Sequence, residues 1–165
     1  MQVGLPIRPA IFMNQIRPLA ICVFHDKERI LVAEGHDPVK CETFYRPLGG
    51  GIEFGERSEE TICRELMEEI GVELKQDTLK YLGTVENIFT FNGIPGHEIV
   101  LIYDGVLKDT GLYDEPVIVG KEVNGEEIRA TWKHLNEFGV GKSILYPTGL
   151  REILQYLLDA AAKHN

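Results

Sequence analysis

Cysteine is scarce: Cys22, Cys41 and Cys63 are the only three in 165 residues, an odd number with no Cys-x-x-Cys spacing. Neither a disulfide framework nor a zinc site is suggested, and the expectation is three reduced thiols, buried or partly buried. Positive charge is short as well, with 17 Lys and Arg against 26 Asp and Glu and a net charge of −9. That balance repels a polyphosphate backbone and argues against binding long nucleic acid. A small phosphorylated ligand is still within reach of a few local arginines or a divalent cation. Long apolar runs are missing too, since Pro6, Arg8, Pro9, Arg17 and Pro18 break the apolar N-terminal stretch. No membrane span and no signal-peptide layout is expected, and the cytoplasm is the default compartment. There is no repeat, low-complexity tract or linker to divide the chain.

What remains is ordinary globular material, 44% hydrophobic and 26% charged, enough for one domain with a real core. Residues 1–16 read as an N-terminal arm or an extra edge strand, and 17–165 as a single domain. Leu19 to Phe24 and Arg29 to Ala33, separated by the turn-like His25-Asp26-Lys27-Glu28, predict a hairpin. Thr43 to Pro47 reads as a short strand running into Gly49-Gly50-Gly51. Three successive glycines imply unusual dihedrals or something approaching the backbone very closely. Leu79 to Phe91 and Glu98 to Leu107 read as paired strands across Asn92–Gly96. The run Ile99-Val100-Leu101-Ile102-Tyr103 has the pattern of a strand covered on both faces. Val117 to Val119 and Glu127 to Trp132 are further strands, with a helical turn near Leu135. An amphipathic helix from Leu150 to about Ala162 carries a core stripe of Leu150, Ile153, Leu154, Leu157, Leu158 and Ala161.

The clearest helix is Ser58 to Ile70, with Ser58 as N-cap, Glu59 and Glu60 at the positive end and Gly71 as C-terminal cap. On a wheel of about 100° per residue, Ile62, Cys63, Leu66, Met67 and Ile70 form a core face. Glu65, Glu68 and Glu69 cluster opposite, with Arg64 at the edge. Glu65 and Glu69 repel as an i,i+4 pair by roughly 0.2–0.5 kcal/mol. All three acids also sit near the negative end of the helix dipole, where cations are favoured. No lysine is spaced to relieve them, whereas a divalent cation would remove both penalties. Carboxylates without histidine or cysteine favour magnesium or manganese over zinc.

From Gly50 to Val72 the chain shows Gly50, five residues, Glu56, seven residues, then Arg64-Glu65-Leu66-Met67-Glu68-Glu69-Ile70-Gly71-Val72. This resembles the Nudix box, and every defined position matches. The resemblance implies an α+β fold, an α/β/α sandwich with a mixed β-sheet between helices, and a metal-dependent hydrolase cutting a diphosphate linkage. It further implies Glu65, Glu68 and Glu69 as ligands of Mg2+ or Mn2+, with the Gly49 carbonyl completing the sphere. Glu56 and Arg64 become the partners that orient those acids. Relatives often add a carboxylate from outside the box as ligand or general base. Glu98 is the candidate here, with Glu86 weaker and His97 a possible base.

Arg46, before Pro47 and the glycines, is placed to reach a substrate phosphate. Phe89 is the leading candidate among Phe44, Tyr45, Phe89, Phe91 and Trp132 for stacking on a base. The second signatures that mark ADP-ribose and dinucleoside polyphosphate hydrolases, a proline or a tyrosine beyond the box, are missing from Glu86-Asn87-Ile88-Phe89-Thr90. By elimination the substrate expected is a MutT-type nucleoside di- or triphosphate, or a nucleotide sugar. The alternative is a nucleotide-binding sensor without turnover. Pairing of two copies, with the N-terminal arm taking part, is a further expectation.

Overall fold

The computed structural model describes residues 14–121 and 125–163. In chain order the elements are β1 (Ile16–Asp26), β2 (Arg29–Asp37), β3 (Glu42–Arg46), β4 (Leu48–Gly51), α1 (Ser58–Ile70), β5 (Lys80–Phe91), β6 (Ile94–Gly105), β7 (Val117–Lys121), β8 (Glu127–His134), β9 (Ile144–Leu145) and α2 (Leu150–Ala162). Residues 1–13 of the expected N-terminal arm lie outside the described residues, and Ile16 already opens β1 opposite His97.

The strands form one mixed sheet in the order β5-β6-β1-β2-β3-β9, with β4 on β1, β8 on β2 and β7 on β8. β1 runs parallel to β6 and β3 parallel to β9, while the other pairs are antiparallel. β1 bonds β4 along Leu19 to Cys22 but meets β2 only at His25 and Asp26. The sheet therefore forks beyond that point, and residues of both arms line a cleft between them.

The period-2 alternation of β1 sends its side chains into two separate cores. Ala20, Cys22 and Phe24 pack with Ile62, Leu66 and Ile70 of α1. Leu19, Ile21 and Val23 pack with Val100 and Ile102 of β6 and Leu150 and Leu154 of α2. Each large apolar side chain so buried contributes about 1.5–3 kcal/mol, which fixes a helix on either side of the sheet. The α/β/α sandwich expected from the sequence is the architecture found.

Several local expectations change. Arg57, not Ser58, is the N-cap of α1, and its N–H donates to the Glu60 carboxylate at 2.8 Å. The Ser58 hydroxyl is drawn instead to the Tyr103 hydroxyl, 2.7 Å away. Gly71 ends the helix in the left-handed region, its N–H reaching Met67 O while Val72 N–H reaches Leu66 O. Met67 is 47% exposed rather than core. The β5–β6 turn shrinks to Asn92-Gly93, both at positive φ, because Gly96 belongs to β6 beneath the Phe89 ring. In α2, Leu150 and Leu154 are buried while Ala161, at the end of the stripe, is exposed.

The close approach expected at the triple glycine is found, within strand β4, which lies antiparallel on β1. Glycine is a poor strand former in general, yet here bulk is what the strand cannot carry. A Cβ on Gly49 would lie 2.2 Å from the Ala20 carbonyl oxygen, and one on Gly50 would lie 2.2 Å from a Glu65 carboxylate oxygen.

Candidate functional site

Arg64 organises the acidic face of α1. Its Nε and Nη2 donate to the two Glu56 oxygens at 2.8 and 2.9 Å. Nη1 donates to Glu65 at 2.9 Å and to Glu68 at 3.3 Å, and Nη2 also reaches the Gly51 carbonyl at 3.0 Å. A guanidinium has five N–H donors in a rigid fork, and this arrangement gives each a partner. The one arginine thus ties the helix to β4 and to the loop carrying Glu56.

Glu56 is held from its other side by the Thr61 hydroxyl at 2.7 Å and the Glu53 N–H at 3.1 Å. The Arg64 bonds chiefly, helped by these two and opposed by burial, lower its pKa from 4.5 to about 2. The same contacts push the Arg64 pKa upward, so this pair stays ionised at any working pH. Thr61 as a second support was not anticipated from the sequence.

The Glu65 carboxylate lies against Gly50, in space that a side chain at that position would fill. Glu65, Glu68 and Glu69 line a cleft of about 220 Å³ together with Gly49, Gly50 and Gly51. Glu98 lines it from β6, only 12% exposed, with one oxygen 3.6 Å from an Arg17 nitrogen on the adjacent strand. Arg46 and Phe44 of β3 and Phe89 and Phe91 of β5 complete walls contributed by the two arms of the sheet. The structure therefore brings Gly49, Glu65, Glu68, Glu69, Glu98, Arg46 and Phe89 to one cavity, with Glu56 and Arg64 behind the helix acids.

Other candidates fall elsewhere. Glu86 pairs with His97 at 2.6 Å on the opposite face of β5 and β6, and neither lines the cleft. Tyr45 packs edge-on to Phe138, under the Lys133 ammonium. Trp132 stacks on Tyr113 and donates to the Leu112 carbonyl. Of the five aromatic candidates, Phe44, Phe89 and Phe91 reach the cavity.

Asp37, Asn87 and Tyr146 also line the cleft, and sequence reasoning missed all three. Burial opposes ionisation of Asp37, but N–H donors from Lys40, Asn92 and Val39 outweigh it and hold its pKa below the ordinary value. Because Asn92 belongs to the β5–β6 turn, Asp37 fastens one arm of the fork to the other. Its position before Pro38 is a turn signal that could have marked it. Asn87 and Tyr146 carry no comparable local signal.

The donor set suits a hard divalent cation: carboxylate and main-chain oxygens with no thiol or imidazole among the lining residues. Gly50 provides a cradle that admits the Glu65 carboxylate. Among the described residues, no three acidic, histidine or cysteine side chains converge closely enough to grip an ion as they stand. The donor types fit such an ion, and Glu68, 47% exposed, is less enclosed than Glu65, which shares its contact with Arg64.

The NUDIX domain family model matches residues 13–157. Solved structures of similar shape include a MutT NUDIX hydrolase from Burkholderia pseudomallei, at 20% identity and TM-score 0.60, covering 86% of this chain and 98% of that one. A NUDIX hydrolase from Nitrosomonas europaea is 20% identical with TM-score 0.56 and 90% coverage of each chain. The E. coli ORF135 protein is 17% identical with TM-score 0.52, covering 94% of this chain and 97% of that one. Such identities speak to the fold alone. The family model runs through β1, the acidic helix and most of α2, and on that span the chain belongs to the NUDIX family.

Proposed function

We propose that the protein hydrolyses the diphosphate linkage of a nucleoside diphosphate derivative with Mg2+ or Mn2+, acting on a MutT-type nucleotide or a nucleotide sugar. The observation that carries this reading is convergence: the acids of α1, the glycine strand β4 and Glu98 of β6 all line one cleft. Glu65, Glu68, Glu69 and the Gly49 carbonyl would hold the cation. When bound, it supplies charge neutralisation at the bridging and leaving oxygens and acidifies the attacking water.

The chain's own groups do the rest. Arg64 and Glu56 fix the register between α1 and β4, so the acids meet the phosphates in a constant geometry. Glu98, across the cleft, accepts the proton of the attacking water. Arg46 reaches a substrate phosphate, and Phe89 and Phe91 offer ring faces to a base. No covalent nucleophile is required: Cys22 is buried in the core, its thiol pKa raised mainly by that burial, and Ser58 is engaged with Tyr103. The net charge of −9 keeps long nucleic acid off the surface. No helix among the described residues is long and apolar enough to cross a membrane.

The test is a screen of nucleoside diphosphate derivatives with Mg2+ or Mn2+, run beside Glu68→Gln and Glu69→Gln. Release of a nucleoside monophosphate or of pyrophosphate by wild type, and at least a tenfold loss in the variants, is expected. No turnover of any compound, or variants equal to wild type, would defeat the hydrolase reading. Tight nucleotide binding without turnover would mark a sensor instead.

A further inference from the structure

Three polar side chains are buried among the described residues: Asp37, Thr61 and Asn87. Buried polar groups are normally satisfied, so unused capacity needs a reason. Thr61 donates to Glu56 at 2.7 Å. Asp37 has three backbone N–H donors and the Lys40 ammonium at 3.8 Å, which use both of its oxygens. Asn87 is different. Its Oδ1 accepts the Thr148 N–H at 3.2 Å, and among the described residues that is the only hydrogen bond of its side chain.

That one bond settles which way the amide points. A backbone N–H can only donate, so the atom facing Thr148 is the oxygen and the other is the NH2 group. Asn87 is 4% exposed and lines the cleft. Its side chain shares a face of β5 with Phe89 and Phe91, two and four residues on. Thr148, which holds the oxygen, follows Tyr146 closely in the chain. Phe44 lies edge-on to Phe91 at 6.1 Å and to Tyr146 at 5.4 Å. A fixed N–H donor therefore stands beside an aromatic lobe of the cleft, with Glu98 as its cross-strand neighbour on β6.

We propose that Asn87 determines specificity by donating from Nδ2 to a ring carbonyl of the substrate base, so that the protein prefers keto bases. Guanine at O6 and uracil at O4 offer an acceptor there. Adenine and cytosine present an amino group at the equivalent position, which sets donor against donor and leaves both unpaired. The Oδ1 lock matters because an amide able to flip would accept from an amino group as readily as it donates to a carbonyl. This inference rests on the nucleotide reading of the cleft and adds which bases the cleft selects.

Asn87→Asp is the informative substitution, since it keeps an oxygen for the Thr148 N–H and replaces the donor by an acceptor at nearly constant shape. Dissociation constants for GDP and ADP, and for UDP and CDP, are measured calorimetrically on intact wild type and variant without added metal. Turnover of the matching triphosphates with Mg2+ is followed in parallel. Wild type should bind the keto member of each pair about tenfold tighter, as one well-placed hydrogen bond allows, and Asn87→Asp should erase or invert that ratio. Asn87→Ser, which keeps a hydroxyl but removes the lock, should reduce the ratio towards one if Asn87→Asp fails to fold. Equal binding of keto and amino bases by wild type, binding of neither, or an unchanged ratio in the variants overturns the proposal. A keto preference in binding without turnover would leave the base selection standing and defeat only the hydrolase reading.

Discussion

Arg64 and Glu56 meet through two parallel contacts, Nε to Oε1 at 2.8 Å and Nη2 to Oε2 at 2.9 Å, and the same guanidinium reaches the Gly51 carbonyl. One side chain thus joins helix, loop and strand at the point where the acids of α1 face the cleft. Lysine cannot reproduce this, having three donors on a point charge in place of a planar fork. Arg64→Lys is expected to lower kcat by at least tenfold and to lower the melting temperature measurably, with calorimetry and steady-state kinetics as the readouts.

Glu56 makes the pair visible in acid. Its folded pKa of about 2 lies below the ordinary 4.5, so its contribution is complete above pH 4.5 and is lost as pH falls towards 2. The depression corresponds to on the order of 3 kcal/mol, and to about 1–2 kcal/mol once solvent screening at a partly exposed site is counted. In a melting series from pH 6 to pH 2, Glu56→Gln should be less stable than wild type at pH 6, and the gap should narrow steadily below pH 4.5. A constant gap would place the loss in packing instead of charge.

Gly49 and Gly50 are neighbours with different duties, and alanine at each separates fold from site. A Cβ on Gly49 meets the backbone of β1 and must be carried at φ +142°, so Gly49→Ala is expected to cost about 2–4 kcal/mol of stability. Gly50 has no such φ, and the atoms nearest its Cβ all belong to the movable end of Glu65. Gly50→Ala should therefore stay within about 1 kcal/mol of wild type in stability while losing on the order of a hundredfold in turnover, because an acid of the site is displaced by about 1 Å. Denaturant unfolding and kinetics on the two variants check the contrast.

These two glycines also show where sequence reading succeeds and fails. The acidic helix was legible because 3.6-residue periodicity separates Ile62, Leu66 and Ile70 from Glu65, Glu68 and Glu69 within one segment. Its C-cap at Gly71 was legible for the same local reason. The strand character of Leu48–Gly51 was not, since it depends on how closely Ala20 and Glu65 approach, and that is a tertiary fact. Glu98 was singled out because the family resemblance calls for a carboxylate outside the box and Glu98 opens an apolar strand, and it does line the cleft. Asn87 was passed over although it lies in the stretch searched for substrate signatures, because its meaning comes from Thr148, 61 residues away.

Metal binding should leave its own signature. Glu68 meets Arg64 at 3.3 Å from a half-exposed position, a contact of small net worth, so a Glu68→Gln, Glu69→Gln double variant is expected to melt within a few degrees of wild type without metal. Wild type should gain about 5 °C or more when Mg2+ or Mn2+ reaches a hundred times its dissociation constant, and the double variant should gain almost nothing. Differential scanning calorimetry with and without EDTA gives both numbers. A double variant that melts well below wild type in EDTA would mean the acids serve packing.

Asp37 ties the two arms of the fork together, since its Oδ1 holds the Val39 and Lys40 N–H groups and its Oδ2 holds that of Asn92. Asp37→Ala strands all three donors and is expected to lower the melting temperature by on the order of 5 °C. Asp37→Asn keeps one oxygen for the β2–β3 turn but turns an NH2 towards Asn92, so its loss should be smaller and confined to the cleft end. Hydrogen exchange at Asn92, accelerated in both variants, reports the opened latch directly.

The assignment of the proton acceptor is decided by comparing two glutamates one strand apart. Glu98 is 12% exposed, lines the cleft and has Arg17 at 3.6 Å. Glu86 is 59% exposed on the other face and holds His97 at 2.6 Å. If Glu98 takes the proton of the attacking water, Glu98→Gln should lower kcat by about 10²–10⁴-fold with KM little changed, because the neutral amide keeps the shape and loses the basicity. If Glu98 served only to restrain Arg17, the substitution would appear in stability or KM instead, with kcat largely intact. Glu86→Gln should remain within about twofold of wild type in both constants, since its side chain points away from the cavity. Loss of kcat in Glu86→Gln with an unaffected Glu98→Gln would move the base to the Glu86–His97 pair and require the substrate to enter from the opposite face of β5 and β6.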